Sequence, residues 1–303
     1  MTSKFEKDGH LVFWGDALET LRTEVATDSV DLVFVDPPYN IGKKFADFHD
    51  RWPSDEAYAK WAYKWLDECI RVLKRTGTLY VMTSTQTIPY FDIFLRNKLT
   101  ILSRIVWHYD SSGVQARKYY GSMYEPILHC VKDVAHYTFN ADEIKVEAKT
   151  GSQRKLIDYR KSTPTQYNTD KVPGNVWYLP RVRYRMDEYE EHPSQKPETL
   201  LERIIRASSN EGDIVLDPFA GTFTTAAVAK KLKRQSISIE SQENYLKIGL
   251  RRVLHMRSYK GEDLLPPEKT YIRKNGNGKR IENEDNGDLF DASSEARLYK
   301  NNS

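Results

Sequence analysis

The sequence predicts an α/β fold in which helices cover both faces of a parallel sheet. Short apolar runs alternate along the chain with longer segments whose apolar residues recur every three or four positions. That alternation is typical of strand–helix–strand units. Two of the apolar runs end in an aspartate followed by proline, at Asp36 and Asp217. Because such sheets bind ligands at the carboxyl ends of their strands, both aspartates are candidate site residues.

The elements of the first half, residues 1–131, follow from local patterns. The predicted strands are the apolar runs at residues 10–14, 30–35, 78–83, 102–109 and 126–131. The predicted helices cover residues 17–25, 55–74 and 88–97. The second helix has the clearest pattern, because Ser54 is a good N-cap and Tyr58, Trp61 and Trp65 begin an apolar stripe at helical spacing. That stripe suits either the core or an interface between subunits.

Residues 132–191 differ from the first half, since they carry few apolar periods and many Tyr, Arg, Lys, Thr and Asn. We expect an inserted region with a role of its own. The α/β pattern then resumes, with strands predicted at 213–216 and 236–239 and helices at 199–209, 224–232 and 242–256. From residue 259 the chain turns polar and predicts a loosely packed tail. The predicted divisions are 1–131, 132–191, 192–258 and 259–303.

The composition excludes several classes of protein. A net charge of +3, from 46 basic and 43 acidic residues, is too small for a nonspecific cationic coat on nucleic acid, although it allows a local basic surface. Two cysteines, Cys69 and Cys130, do not make a disulfide scaffold, and no Cys/His spacing predicts a metal site. No apolar run approaches the ~18–20 residues that cross a bilayer, and the start lacks the order of a signal peptide. We expect a cytoplasmic protein without membrane contact.

The first chemical motif is Asp36-Pro37-Pro38-Tyr39, at the end of a predicted strand. Prolines lack an N–H and hold the backbone extended, so the carbonyls there are available as acceptors. Asp36 and a neighbouring carbonyl can accept both hydrogens of an –NH2 group, while Tyr39 stacks on the flat ring that carries it. Two such acceptors restore the amine lone pair that the ring delocalises. The motif thus predicts activation of a ring amine, and the alternative is a strand end closed by a Pro-Pro turn.

The second motif runs from Asp213 to Thr225, where a strand leads through small residues into a helix. Such a turn lets a ligand approach the backbone, and the helix N-terminus favours an anionic group. The turn lacks the glycines of the dinucleotide pattern. Glu240 ends the next predicted strand, where it can accept hydrogen bonds from two ribose hydroxyls. An ordinary strand–helix turn with a surface glutamate is the alternative.

Together these motifs resemble the DNA amino-methyltransferases, which transfer a methyl group from S-adenosylmethionine to adenine N6 or cytosine N4. Asp36-Pro37-Pro38-Tyr39 matches the catalytic tetrapeptide, and residues 219–223 match the Phe-x-Gly-x-Gly cofactor loop. Residues 15–19 and 192–197 match two further segments in the same order. The catalytic motif precedes the cofactor loop, as in the beta group. The resemblance implies a Rossmann-like doubly wound sheet, circularly permuted, with residues 132–191 as the inserted target recognition region.

The resemblance also implies roles for individual residues. Asp36 and the Pro37 carbonyl would hold the target amine beside Pro38, and Tyr39 would stack on a base flipped out of the duplex. Asp16 would bind the cofactor adenine, Glu240 its ribose, and Lys196 its carboxylate. The residues expected around S-adenosylmethionine are Asp16, Ala17, Asp36, Ser194, Lys196, Asp217, Phe219, Gly221, Thr222 and Glu240. No covalent intermediate is needed, and both cysteines are expected in the core, which argues against cytosine C5 methylation.

One position departs from the family pattern. Phe223 stands where the loop carries its second glycine, so a bulky side chain is expected where the backbone normally approaches the cofactor. This feature favours one alternative, a DNA-binding relative that has lost catalysis. A second alternative is a cytosine N4 enzyme, although these more often carry serine at the position of Asp36. We therefore predict an adenine N6 enzyme, with duplex DNA as substrate.

Candidate DNA contacts are cations beside aromatic residues or near the catalytic motif. They are Lys43, Lys44, Arg117, Lys118, Arg181, Arg183 and Arg185. The three arginines alternate, so in a strand they would share one face and could meet phosphate or guanine. A merely solvated basic surface is the alternative. The resemblance further implies a bacterial restriction–modification setting, with an endonuclease that acts on the same site without direct contact. It leaves monomer and homodimer both open.

Overall fold

The structure is a computed structural model, and it describes residues 2–45, 48–109, 117–148, 156–184, 186–264, 273–274 and 280–281. The chain divides into two compact units, residues 1–264 and 265–303. Within the second unit the structure describes an antiparallel pairing of Arg273–Lys274 with Arg280–Ile281. The site and its chemistry lie in the first unit.

The first unit is built on a nine-stranded sheet. In chain order its strands are β1 (Ser3–Lys7), β2 (His10–Trp14), β3 (Val30–Val35), β4 (Leu73–Met82), β5 (Thr100–His108), β6 (Tyr124–Val131), β7 (Val176–Tyr178), β8 (Ile214–Asp217) and β9 (Gln235–Glu240). Their order across the sheet is β1-β2-β9-β8-β3-β4-β6-β5-β7. The two halves of the chain therefore meet where β8 lies beside β3.

The centre of the sheet is parallel. Strands β2, β9, β8, β3 and β4 run in one direction, as the sequence predicts. Strand β6 runs antiparallel to β4 and to β5, a difference from the all-parallel expectation. Because β6 runs the other way, its first residues lie at the edge where the parallel strands end. That edge carries both Asp36 and Glu125.

In the described part of the chain, six α-helices pack on the sheet. They are α1 (Ala17–Glu24), α2 (Asp55–Val72), α3 (Ile88–Arg96), α4 (Glu198–Ser208), α5 (Thr224–Lys231) and α6 (Glu243–Arg252). Helices α1 to α3 pack on one face, and α4 and α5 pack on the other. The predicted cap of α2 is present, since Ser54 accepts from the Ala57 N–H at 3.2 Å. Asp16 caps α1 in the same way and accepts from the Glu19 N–H at 2.9 Å. Both faces are therefore covered, and the predicted fold class is confirmed.

The apolar stripe of α2 belongs to the core of the chain. Tyr58 and Trp65 are almost fully buried, and both rings pack against Phe91 of α3. Cys69 on the same helix and Cys130 on β6 are also buried. Burial raises the pKa of the Cys130 thiol to about 12, so neither the position nor the ionisation of this thiol suits nucleophilic attack.

The course of the chain differs from the predictions in two places, and one strand was not predicted. Residues 3–7 form this strand, the edge strand β1. Strand β7 belongs to the main sheet, although its residues lie inside the region predicted as an insertion. Its buried Trp177 packs in a core cluster with residues of α4. The compact first unit also extends to Leu264, past the predicted start of the tail at 259. A hairpin of Ser258–Tyr259 and Glu262–Asp263 closes it, with Tyr259 against Phe5 at 5.8 Å between ring centroids.

The rest of the predicted insertion is built from short pieces. Residues 141–144 form one 3-10 turn. Val146–Glu147 pairs with Asp170–Lys171, and Ile157–Asp158 pairs with Thr165–Gln166. Outside the sheet strand β7, the described part of this region therefore presents small hairpins and exposed polar residues.

Candidate active site

A cavity of about 310 Å³ opens at the edge where the parallel strands end. Every residue predicted for catalysis or for the cofactor lines it. These are Asp16, Ala17, Asp36, Pro37, Pro38, Tyr39, Ser194, Lys196, Asp217, Phe219, Gly221, Thr222 and Glu240. Residues that are distant in the sequence meet here because β3, β8 and β9 are neighbours in the sheet.

Asp36 follows β3 and lies in a network of charged and phenolic groups. Its Oδ2 is 2.8 Å from the Lys196 Nζ, and its Oδ1 accepts a hydrogen bond of 2.5 Å from the Tyr39 hydroxyl. Burial raises the pKa of Asp36, and the Lys196 ammonium partly offsets that rise. Burial and the neighbouring carboxylates raise the pKa of Tyr39 well above its usual value, so Tyr39 stays a phenol that donates one proton.

Glu125 is a member of this network that the sequence analysis missed. It lies near the start of β6, and its Oε2 is 2.9 Å from the Tyr39 hydroxyl and 3.4 Å from the Lys196 Nζ. Burial acts to raise the pKa of Glu125, but the Lys196 ammonium and the Tyr39 hydrogen bond hold it below its usual value. The predicted strand begins at residue 126, one residue after Glu125. Nothing in the local sequence marks this glutamate as a site residue.

Lys196 lines the cavity and pairs with two carboxylates, contacts that the sequence analysis did not predict. Its side chain is 7% exposed and its Nζ bridges Asp36 and Glu125. Burial acts to lower the pKa of Lys196, but the two carboxylates raise it above its usual value, so Lys196 is an ammonium. Its single positive charge therefore offsets one of the two negative charges of Asp36 and Glu125. Its predicted pairing with a cofactor carboxylate stays a prediction.

The loop after β3 is held by a second residue that the sequence did not reveal. The fully buried Asp50 accepts hydrogen bonds from three successive backbone N–H groups, those of Tyr39 (3.3 Å), Asn40 (2.6 Å) and Ile41 (3.2 Å). On the other side of the loop the Tyr58 hydroxyl donates to the Pro38 carbonyl at 2.7 Å. These contacts fix the backbone on which Asp36 and Tyr39 are mounted.

Two further buried carboxyl groups line the cavity. Glu240 ends β9 and accepts from the N–H groups of Gly221 (2.8 Å) and Gln242 (2.7 Å). Asp217 ends β8 and accepts from the Phe219 N–H at 3.0 Å and from the Thr225 hydroxyl at 2.5 Å. Burial raises the pKa of each carboxyl to about 7.

The backbone between these carboxyls keeps the shape that a ligand needs. Gly221 has φ +50°, and a Cβ added there would lie 3.4 Å from His192 Nε2. His192 packs edge-on against Tyr245, with ring centroids 4.5 Å apart, and closes the loop from one side. Burial, with Lys196 and Lys43 nearby, lowers the pKa of His192 to about 3, so this ring is neutral.

The expectation for Phe223 is wrong. Its backbone has φ +59°, the left-handed conformation that a glycine would take, and its side chain is fully buried. The ring packs with Val12, Leu246 and Leu250 in a core cluster behind the loop. The cavity side of the loop therefore keeps its shape, and the feature that favoured an inactive relative is removed.

Gly249 on α6 is what makes room for this ring, and it gives a stability prediction. A Cβ at Gly249 would lie 2.5 Å from Phe223 Cε2. We expect Gly249→Ala to lower the free energy of unfolding by about 1–3 kcal/mol, because overpacking forces the ring or the helix to move. Gly174→Ala is the matched control, since no atom lies within 4 Å of its Cβ position. Chemical denaturation would measure both, and equal midpoints would contradict the account.

The residues predicted to contact DNA do not all lie in one place. Lys43 lines the cavity itself, while Lys44, Arg117, Lys118 and Arg183 are exposed. Arg181 lies over the Tyr109 ring at 4.9 Å. The expectation that the arginines share a strand face is wrong, because residues 179–183 have irregular backbone. Arg185 lies outside the described residues.

In the described part of the chain, His, Cys, Asp and Glu side chains form no group of three or more that could hold a metal ion. The helices described there are all too short or too polar to span a membrane.

Comparisons with known proteins place this site in a family. The sequence profile of a family described as DNA methylase matches residues 30–251. The DNA adenine methyltransferase YhdJ of Escherichia coli K12 is 56% identical over 275 residues, which are 91% of this chain and 92% of the relative. The type II methyltransferase M.HpaI of Haemophilus parainfluenzae is 36% identical over 240 residues, 78% of this chain and 72% of the relative.

The fold comparison agrees. The crystal structure of an M1.HpyAVI–SAM complex gives a TM-score of 0.52 at 24% identity, and the match covers 80% of this chain and 98% of that one. At this identity the match shows a shared fold. Since the family profile and the relatives each cover most of the sequence, this chain belongs to the DNA methylase family, as its motifs predicted.

Proposed function

We propose that the protein transfers a methyl group from S-adenosylmethionine to N6 of adenine at specific sites in duplex DNA. The observation that carries the proposal is one cavity lined both by Asp36 and Tyr39 and by the carboxyls of Asp217 and Glu240. The 56% identical relative is named as a DNA adenine methyltransferase. Family membership confirms the predicted enzyme class and cofactor, and adenine is the base to which the named relative points.

The residues of the second motif fit S-adenosylmethionine. The backbone at Gly221 leaves space that a Cβ would fill, and Glu240 ends β9 as an acceptor beside it. Glu240 would accept the ribose hydroxyls and Asp16, at the start of α1, would accept from the adenine amino group. When bound there, S-adenosylmethionine would supply a sulfonium methyl group as the electrophile, with the sulfur as its leaving group.

Asp36 and Tyr39 would prepare the target amine. The Asp36 carboxylate accepts a hydrogen bond from N6 and draws the amine towards a tetrahedral shape, while the Tyr39 ring stacks on the flipped base. N6 loses one proton when it gains the methyl group, and Asp36 is the acceptor in position to take it. Because burial raises the pKa of Asp36, this carboxylate is a better base than an exposed aspartate. Alignment of the amine nitrogen with the methyl group then provides the rest of the rate enhancement.

The pKa of Glu240 predicts a pH dependence of cofactor affinity. A carboxylate accepts more hydrogen bonds than a carboxylic acid, so the ionised form should bind the ribose hydroxyls better. Since burial raises this pKa to about 7, affinity should increase as the pH rises from 6 to 8, by up to about tenfold. Isothermal titration with S-adenosylmethionine would measure it.

Two variants identify the group that titrates. Glu240→Gln should bind more weakly and with a flat pH profile, because the amide does not ionise. Asp217→Asn is the matched control and should keep the slope, although Asp217 has a similarly raised pKa. A slope that survives in Glu240→Gln and disappears in Asp217→Asn would refute the assignment to Glu240.

We also propose that the predicted insertion selects the DNA sequence. Its described part exposes Tyr159, Arg160, Lys161 and Lys171 away from the sheet core, and such mixtures of cations and aromatics suit nucleic acid. We expect exchange of residues 145–172 for those of a relative with another site to change the sequence that is methylated. The exchange stops before β7, since Trp177 of that strand is part of the core and its replacement could disturb the fold. Unchanged sequence choice in the chimaera would place recognition elsewhere.

The biological setting is part of the proposal. Relatives described as type II methyltransferases favour a bacterial restriction–modification system, in the cytoplasm where DNA lies, with an endonuclease that reads the same site. Either a monomer or a homodimer can present one cavity to one flipped base.

Expression in a bacterial host without N6-methyladenine would test the proposed function. Sequencing that detects modified bases should find N6-methyladenine within one short sequence, and an Asp36→Ala strain should show none. Methylated cytosine at the mapped sites would move the assignment to cytosine N4. Unmodified DNA from a strain that produces folded wild-type protein would contradict the proposal that this protein methylates DNA.

A further inference from the structure

Both oxygens of Asp36 already have partners, although the target amine needs one of them. The Tyr39 hydroxyl lies 2.5 Å from Oδ1, and the Lys196 Nζ lies 2.8 Å from Oδ2. A buried carboxylate that is shared in this way is a weaker acceptor for a third donor. The amine would be bound more strongly if at least one of these two donors could move to another acceptor.

Glu125 is within reach of both donors. Its Oε2 is 2.9 Å from the Tyr39 hydroxyl and 3.4 Å from the Lys196 Nζ. A phenol has one proton and can donate to one carboxylate at a time, so the Tyr39 proton has two acceptor positions, on Asp36 and on Glu125. The Lys196 ammonium has a similar choice without a large movement of its side chain.

We propose that Glu125 is a positioning residue that takes over the Tyr39 hydroxyl and the Lys196 ammonium when Asp36 engages the target amine. The inference rests on the proposed function, because it concerns the step in which N6 is bound. Glu125 does not touch the base in this account. It acts through Asp36, by providing the acceptor that frees a carboxylate oxygen.

The surroundings of Glu125 suit this task. The residue is held in β6 opposite Trp107 of β5, and its second oxygen is 3.3 Å from the Tyr109 hydroxyl. Lys196, Tyr39 and Arg181 favour its ionised form, against the effect of burial. Glu125 is therefore a fixed anionic acceptor that needs no proton transfer before it receives a donor.

Without Glu125, binding of the amine would be less favourable in free energy. The Tyr39 hydroxyl and the Lys196 ammonium would have to share Asp36 with N6 or give up a buried partner, and an unpaired buried donor is destabilising. Lys196 would keep its weaker contact with the Ser194 carbonyl at 3.3 Å. The cost falls on the step that binds the amine, whereas the cofactor end of the cavity is untouched.

The test compares single-turnover methyl transfer by wild type and Glu125→Gln, on genomic DNA from a host without base methylation, with labelled S-adenosylmethionine. We expect the rate of Glu125→Gln to fall at least tenfold while its cofactor Kd and thermal midpoint stay close to those of wild type. Adding Tyr39→Phe to Glu125→Gln should restore part of the lost rate, because the phenol that occupies Asp36 is gone. In the wild-type background the same Tyr39→Phe change should give no gain.

Tyr109→Phe is the matched control, because it removes a hydrogen bond to the other oxygen of Glu125, and its rate should stay within about threefold of wild type. Three results would overturn the inference: a wild-type rate for Glu125→Gln, an equal loss from Tyr39→Phe in both backgrounds, or a loss in Tyr109→Phe as large as in Glu125→Gln. The last two would mean that Glu125 acts as a structural anchor. Absence of transfer by the wild-type protein would instead overturn the proposed function, and this inference with it.

Discussion

Replacement of Asp36 by alanine is expected to reduce methyl transfer by about three orders of magnitude, because the amine loses both its acceptor and the group that takes its proton. Cofactor binding should change little, since Glu240 ends β9, which β8 separates from β3 and Asp36. The protein should still fold, because the Lys196 ammonium keeps Glu125 as a partner at 3.4 Å. Single-turnover kinetics and titration with S-adenosylmethionine would measure the two effects separately.

The matched control for this change is Asp28→Ala. Asp28 is an exposed aspartate that pairs with Lys132 at 2.9 Å, away from the cavity, and its loss should leave the transfer rate within about twofold of wild type. A rate near that of wild type in Asp36→Ala would remove Asp36 from the chemistry. Loss of cofactor binding in parallel with the rate would instead mean that Asp36 acts mainly at the cofactor end.

Replacement of Asp50 by alanine is expected to reduce the transfer rate by about two orders of magnitude, although Asp50 need not touch the base. Three backbone N–H groups of the catalytic loop would lose their acceptor together. Each lost contact costs about 1–3 kcal/mol when the donor stays buried, so the loop should move instead. A displacement of even 1 Å at a reacting group can cost about a hundredfold in rate.

Asp50→Asn gives the graded comparison for this prediction. The amide keeps one acceptor oxygen, so it can hold part of the loop, and its rate should lie between those of wild type and Asp50→Ala. Measurement at saturating DNA and cofactor would show the effect in kcat. If Asp50→Ala transferred methyl groups at the wild-type rate, the three hydrogen bonds would have no part in positioning the catalytic loop.

The sequence predicted the parallel centre of the fold because its signals are local. Apolar runs such as residues 30–35 and the capped stripe of α2 carry their own pattern, and each became an element close to its predicted bounds. The edge strands were harder to predict. Strand β1 is mostly exposed and charged, and β7 offers three residues with one buried side chain, Trp177.

The site residues also fall into those that local sequence predicts and those that it does not. Residues within recognised motifs were predicted and lie together, whereas Glu125 and Asp50 act through contacts with chain segments far from them in sequence. The effect of Phe223 could not be read locally either. A large residue in a cofactor loop predicts obstruction, but whether its ring points into the cavity depends on the space that Gly249 leaves on a later helix.

The measurement that tests the central claim most directly is nucleoside mass spectrometry of the reaction product. Purified protein would be incubated with unmethylated genomic DNA and S-adenosylmethionine carrying a labelled methyl group, and the DNA would then be digested to nucleosides. We expect labelled N6-methyl-2′-deoxyadenosine from wild type and none from Asp36→Ala. Label on cytosine, or equal label from both proteins, would contradict the proposed function.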